Sequence, residues 1–363
     1  MLFDPRPKEK KDELFNREEE LEALSKYVSS GSPIILCLGI RRIGKTSVLK
    51  VFLNENNYPS LYIDARRLSE IGYSKQGLYR LISEEFTRIR GRFASIIEYL
   101  RSIKGVSIAG HGIELNWRDK GLSLSSILIK MDDYARDNNT VFLIVIDEAQ
   151  YLRFLKGHNK IDFRQIIAYT YDNLRRVKFI LAGSEIGMLY RFLGFNNPLS
   201  PLYGRVRDEL LIERFSREES IEFLKQGFSE ANMSVPEDII EEVVDLLDGI
   251  VGWLAYFGYK FLQVKRTDIV KQILEEAINM ALNELKKLND LSPTYSHVLR
   301  AIALNFNTWS TIKRTVEAWM GRTIPSKTLY RILSNLIDMS IIDKKDGKYV
   351  FLDPIYKEAS RQL

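Results

Sequence analysis

The stretch that most limits what this chain can become is Ile34-Ile35-Leu36-Cys37-Leu38-Gly39-Ile40-Arg41-Arg42-Ile43-Gly44-Lys45-Thr46-Ser47. Five apolar residues run into a glycine, four loop residues, then Gly-Lys-Thr and a helix-like continuation to Asn54. The spacing G-x-x-x-x-G-K-[ST] predicts a buried strand, a phosphate-cradling loop and a helix N-terminus in one line. Glycines at 39 and 44 free the backbone to aim successive N–H groups at a polyphosphate, and the helix end adds partial positive charge. Gly39, Ile40, Arg41, Arg42, Ile43, Gly44, Lys45, Thr46 and Ser47 are therefore the expected nucleotide-binding loop. Lys45 is placed to reach the β- and γ-phosphates, and the Thr46 hydroxyl to hold Mg²⁺.

A second stretch gives that loop a reaction. Val141 to Ile146 are six apolar residues in a row, as a parallel strand buried on both faces requires. Asp147 and Glu148 follow, at the strand end where open α/β sheets place their ligands. Asp147 is expected to hold Mg²⁺ through water, and Glu148 to orient and polarise an attacking water; helix capping is the plainer role for Asp147. An adjacent Asp-Glu pair favours hydrolysis over transfer to a small acceptor, because a kinase must exclude water.

Ser60–Asp64 and Val177–Ser184 read as further strands, with helical runs over 75–104, 123–139 and 164–174 between them. The arginines of the first run, Arg80, Arg88, Arg90, Arg92 and Arg101, read as solvated charge. Residues 106–117 alternate about Gly110-His111-Gly112, a hairpin added to the core. The whole predicts a doubly wound parallel sheet over roughly 31–214. Ser184 ends its strand either as a sensor of γ-phosphate or water, or simply as a strand-end serine. Arg205 follows the core, placed either to stabilise γ-phosphate charge or to lie on the surface.

Strand signals stop near residue 215. Helix-like segments open at Ser216 and Pro236 and run over Gly249–Leu262 and Thr267–Leu288, a helical lid over 215–289. From 290 to 363, segments Tyr295–Leu304, Ser310–Met320 and Ser326–Met339 precede two short strands about Asp346-Gly347, the order of a winged helix. This last part carries 11 Lys and Arg against 7 Asp and Glu. Ser326, Lys327, Thr328 and Arg331 on its third helix, with Lys344, Lys345 and Lys348 on its hairpin, suit DNA phosphates. Packing on a protein partner or on the nucleotide-binding core is the other use of such a surface. At the other end, the Pro- and Lys-rich residues 1–13 predict a loose arm. Asn16 predicts an N-cap, with Glu19 completing a capping box ahead of Leu21 and Leu24.

Composition narrows the class. A chain of 363 residues exceeds one ordinary core, so two or three domains are expected. With 45% hydrophobic and 28% charged residues it reads as globular. One cysteine, Cys37, excludes an intramolecular disulfide, and His111, His158 and His297 are too far apart for a zinc pattern. No apolar run nears the roughly 18 residues of a membrane span, and no signal-like N-terminus is present, so a cytoplasmic protein without a membrane is expected. A net charge of +5 permits nucleic acid without demanding it.

Taken together, several stretches resemble the archaeal ATPase family, within the AAA+/STAND group of P-loop NTPases. They are Phe15-Asn16-Arg17-Glu18-Glu19-Glu20-Leu21, the strand into Asp147-Glu148, Ala182-Gly183-Ser184, Pro201-Leu202-Tyr203-Gly204-Arg205, the helical lid and the winged helix. The resemblance implies ATP or ADP with Mg²⁺, an adenine pocket lined by Phe15, Asn16 and Arg17, and Arg205 as the family's arginine. Relatives of this kind carry a Gly-x-Pro-like lid turn; here Gly249-Ile250-Val251-Gly252-Trp253 has no proline. The expected activity is Mg²⁺-dependent ATP hydrolysis, used as a switch that couples nucleotide state to DNA or a partner. A non-hydrolysing STAND-like scaffold is the alternative, and a protein partner or homo-oligomer stays open. A helicase or translocase is disfavoured, because no second RecA-like set of strands follows.

Overall fold

The structure, a computed structural model, describes residues 1–109, 112–155, 161–264, 266 and 269–363. Gly110 and His111 of the expected hairpin turn, His158, and the Thr267 start expected for a lid helix lie outside the described residues. The chain begins with α1 (Glu18–Ser29), β1 (Ile34–Leu38), α2 (Lys45–Asn56), β2 (Ser60–Asp64), α3 (Leu68–Ile71), α4 (Lys75–Ile89) and α5 (Ile96–Arg101). It continues through β3 (Val106–Ala109), β4 (Gly112–Leu115), α6 (Leu124–Asp137), β5 (Phe142–Asp147), α7 (Phe163–Asn173), β6 (Val177–Gly183), α8 (Ile186–Leu193) and β7 (Asp208–Leu211). Helices α9 (Arg217–Glu230), α10 (Glu237–Leu247), α11 (Val251–Val264) and α12 (Val270–Lys286) follow. The last part is α13 (Thr294–Ala303), α14 (Trp309–Met320), α15 (Ser326–Asp338), β8 (Ile342–Lys345), β9 (Lys348–Phe351) and α16 (Pro354–Ser360).

Five strands form one parallel sheet in the order β2-β5-β6-β1-β7. Every residue of β1, β5 and β6 is buried, as continuous apolar runs in a sheet covered on both faces require. One face carries a core with α4, α5, α6 and α7, the other a core with α1 and α2. The doubly wound reading holds. Edge strand β7 is an addition: its Asp-Glu-Leu-Leu offers neither an apolar run nor alternation. The β3–β4 hairpin pairs antiparallel as expected. Its free edge is satisfied by α4, with Ile113 and Leu115 N–H donating to Thr87 Oγ1 and Ser83 Oγ at 3.0 and 3.1 Å.

Two N-terminal expectations are corrected. Residues 1–13 are not a loose arm, because Leu2 and Phe3 are 2% and 0% exposed within the helical core of α9 to α16. Asn16 does not cap α1. It takes a left-handed backbone (φ 48°) and its amide reaches Glu219 of α9, so the helix begins at Glu18 without a side-chain cap. The helix expected to open at Ser216 does so, and Ser216 with Glu219 closes a capping box at its start.

The buried core of α9 to α12 runs without a break into α13 to α16, so packing does not stop at the expected 289/290 boundary. In the last part, Asp346 and Gly347 both have positive φ, the type I′ turn that suits a two-residue hairpin. Helix α15 buries Leu329, Ile332, Leu333 and Leu336 and exposes Ser326, Lys327, Tyr330 and Arg331. Its C-terminal end rests on α8. Arg191 pairs with Asp338, and Ile186 N–H donates to Ser340 Oγ at 3.0 Å.

Candidate nucleotide site

Sheet order decides what meets what. Strand β6 lies between β1 and β5, so Ser184, just past its end, falls between the loop after β1 and the carboxylates after β5. Gly44 turns the loop into α2 with φ 100°, a conformation a side chain would strain. Lys45 is then folded into the loop, 5% exposed, its Nζ donating to the carbonyls of Gly39 and Ile40 at 2.8 Å each. Burial holds its pKa below the ordinary lysine value, against the opposing pull of Glu148.

Both carboxylates are held by hydroxyl donors. Asp147 Oδ2 accepts Thr46 Oγ1 at 2.7 Å and the phenol of Tyr62 at 2.6 Å. Glu148 Oε2 accepts Gln150 Nε2 at 2.6 Å, Ser184 Oγ at 2.7 Å and Ser184 N–H at 3.2 Å. Burial pushes the Glu148 carboxyl up, but the Lys45 charge and these donors outweigh it and hold it below the usual value. Three donors on Oε2 fix the carboxylate while Oε1 takes none of them. Thr46 and Asp147 are hard oxygen donors suited to Mg²⁺. Among the described residues no cluster of three or more His, Cys, Asp or Glu could hold a metal, so phosphate and water would have to complete that ion's shell.

A cleft of about 570 Å³ opens over the loop, within the range of small-molecule sites. Arg41 to Ser47 form its floor, with Arg66, Glu148 and Tyr151 beside them. Phe15 and Arg17 stand on one wall with Phe215 and Phe223. Phe15 meets Phe215 and Phe223 edge-on at 5.5 Å, and Arg17 lies 4.5 Å over the Phe215 ring. Val251, Gly252, Trp253 and Tyr256 of α11 and Glu284 of α12 complete the lining. Despite lacking a proline, the 249–253 segment touches the loop directly: Gly252 N–H donates to Arg42 O at 2.8 Å.

The two loop arginines reach outward. Arg42 stacks 4.2 Å over Trp253 and pairs with Glu284, which also accepts the Tyr356 hydroxyl of α16. Arg41 pairs with Glu185 at 3.2 Å and Glu284 at 3.6 Å. Trp253 Nε1 donates to buried Asp353 at 2.9 Å. The loop is thus joined through side chains to the helix that ends the chain.

Most of the residues singled out in the sequence converge here. Phe15, Arg17 and Arg41 to Ser47 line the cleft with Glu148. Gly39, Ile40, Asp147 and Ser184 stand one contact behind it, on Lys45, Thr46 and Glu148. Asn16 turns away to Glu219. Arg205 is not brought in. It precedes parallel strand β7, whose Asp208 pairs with Ile35, and so stands at the N-terminal edge of the sheet, opposite the loop. There it pairs with Asp172 and lies 4.9 Å over Tyr171. A γ-phosphate contact from its own chain is therefore excluded by strand direction. Tyr62, Gln150, Glu284 and Tyr356 were not foreseen, and Trp253 was met only as the end of the Gly249–Trp253 lid turn; Gln150, two residues past Glu148, also stood where a local pattern pointed.

A parallel five-stranded sheet with this loop, an acidic strand end and helices closing the cleft defines a P-loop NTPase. The family model of an ATPase domain found predominantly in Archaea matches residues 14–257, and that of the MCM protein C-terminal winged helix-turn-helix domain matches 289–352. The chain belongs to the archaeal ATPase family. It is similar to the Walker-type ATPase PABY2304 of Pyrococcus abyssi at 38% identity, over 99% of this chain and 100% of that one, with a TM-score of 0.88. The Aeropyrum pernix ORC2 protein, solved in ADPNP–ADP complexes, shares the fold at 16% identity and a TM-score of 0.63, over 99% and 95% of the two chains. A search of curated protein sequences finds no match. No helix among the described residues is long and apolar enough to cross a membrane.

Proposed function

We propose that this protein binds ATP with Mg²⁺ in the cleft over Gly39 to Ser47 and hydrolyses it as a molecular switch. The observation that carries the reading is Glu148, fixed by three donors on one oxygen beside Lys45 and the Thr46–Asp147 pair. Lys45 would leave the Gly39 and Ile40 carbonyls for the β- and γ-phosphates, and the loop N–H groups would hold the phosphate oxygens. Thr46, and Asp147 through water, would hold Mg²⁺, which supplies charge neutralisation at the phosphates. Glu148 Oε1 would orient the attacking water and take its proton, with Ser184 and Gln150 keeping the carboxylate in place. Phe15 and Arg17, on the aromatic wall, would face the adenine.

The output we assign to the winged helix, the fold whose third helix enters a major groove in DNA-binding relatives. Lys327, Arg331 and Tyr330 on the exposed half of α15 suit duplex DNA, and the contact of its other half with α8 gives nucleotide state a route to it. Arg205 takes no part in its own cleft; a part in hydrolysis would be played in a second copy. ATP turnover tests the core of the reading: Lys45→Ala and Glu148→Gln each abolish it, and a wild type no faster than either variant would leave only a nucleotide-holding scaffold.

A further inference from the structure

Leu2 and Asp4 to Lys8 line the cleft, and the segment is built in at both ends, at residues 2–3 and at residues 8–9. At the outer end Phe3 is fully buried, edge-on to Phe228 at 4.9 Å and Phe223 at 5.7 Å. Its socket exists because two helices forgo side chains. A Cβ at Gly227 of α9 would stand 2.3 Å from Phe3 Cζ, and one at Gly258 of α11 would stand 2.5 Å from Phe3 Cγ. Glycine inside a helix is disfavoured on its own, so two of them around one ring mark a seat made for it. Leu2 N–H adds a bond to Glu230 Oε2 at 2.8 Å.

The inner end is tied to the phosphate-loop helix. Lys8 N–H donates to Ser47 Oγ at 3.1 Å, Glu9 pairs with Lys50 at 2.7 Å, and Asn54 Nδ2 donates to Glu9 O at 2.8 Å. The Lys8 ammonium turns back onto the carbonyls of Met1 and Asp4, at 2.8 and 3.0 Å, which stiffens the segment between. Between the two anchors, Asp4, Pro5, Arg6, Pro7 and Lys8 line the cleft itself. Two prolines cut the chain entropy lost in holding that span.

We infer that this segment is a strap that retains the nucleotide. It ties α9 and α11 to α2 along the cleft, so that the bound nucleotide leaves only when the strap slackens or Phe3 comes out of its socket. The inference rests on the nucleotide reading of the cleft and adds a release step to it. A segment held at both ends acts on the dissociation rate, where affinity differences among variants of one site mostly lie.

The test is the dissociation rate of Mg²⁺ with N-methylanthraniloyl-ADP from the full chain, chased with unlabelled ADP. Phe3→Ala is expected to speed release about tenfold, with Phe3→Leu between it and the wild type. Because Phe3→Ala also empties a core site and can fail to fold, two glycines inserted between Pro7 and Lys8 provide the second arm. They leave Phe3 in its socket and the bonds of Lys8 N–H and Glu9 to α2 in place, lengthen the span and loosen the hold of the Lys8 ammonium on Met1 and Asp4, and are expected to speed release at an unchanged melting midpoint. Release at the wild-type rate in the insertion variant overturns the strap while leaving the nucleotide reading in place. A wild type that takes up no labelled ADP overturns that reading and the strap with it.

Discussion

At the scale of single residues, the site depends on two oxygens. Asp147 Oδ2 takes hydroxyls from Thr46 and Tyr62 at once, and Glu148 Oε2 takes three donors. Hydrogen bonds to a charged group contribute about 1.5–3 kcal/mol each. Tyr62→Phe is therefore expected to loosen the Asp147 carboxylate and raise the Mg²⁺ concentration needed for half-maximal ATP binding about tenfold, read in a titration at fixed nucleotide. Glu148 carries a pH signature. Its folded pKa lies below the ordinary value of 4.5, so the stability tied to its charge is fully present above that value and is lost as pH falls through the lowered one. The stability difference between wild type and Glu148→Gln should be flat above 4.5 and shift against the wild type below it, in urea unfolding across acid pH. Lys45, Thr46, Asp147 and Glu148 were all legible, because fixed spacing next to apolar runs places them wherever the chain goes. Tyr62 was not: β2 read only as a buried strand, and its pairing with β5, Asp64 beside Asp147, is what turns the phenol toward the carboxylate.

At the scale of elements, the 249–253 turn and α16 meet behind the loop. Trp253 is 1% exposed, lies under Arg42 and donates to Asp353, whose pKa is raised by burial. Trp253→Phe keeps a ring for Arg42 but leaves a buried carboxylate oxygen without its donor, which costs about 1–3 kcal/mol. Chemical denaturation should show that loss, and adding Asp353→Asn should return part of it, since a neutral group is cheaper to bury unpaired. Element types were largely readable from periodicity, including both hairpins and the helix start at Ser216. The failures have local reasons. Asn16 looked like a cap because Glu19 follows at the right spacing, but a bond to α9 holds it in the left-handed region. Strand β7 is four residues of an edge, too short and too charged at its start to show a period.

Across the whole molecule, the last helices sit on the sheet domain through a contact as close as a core. Gly187 of α8 lies against Asp338 of α15: a Cβ there would stand 2.5 Å from the Asp338 Cα. Gly187→Val is expected to lift α15 from α8 while leaving each part folded. Small-angle scattering should report a larger radius of gyration, with near-normal circular dichroism; unchanged dimensions would show that contacts away from Gly187 hold the two together. Fold class, the order of parts and the four polar residues of the phosphate site follow from short-range patterns, since strand burial, loop spacing and helix starts are set by neighbours within a few residues. The seat of Phe3 between Gly227 and Gly258, the Arg42–Glu284–Tyr356 chain and the exile of Arg205 to the far edge of the sheet join residues tens to hundreds of positions apart. Such meetings depend on strand order and on which helix faces pack together, and no local spacing carries that information.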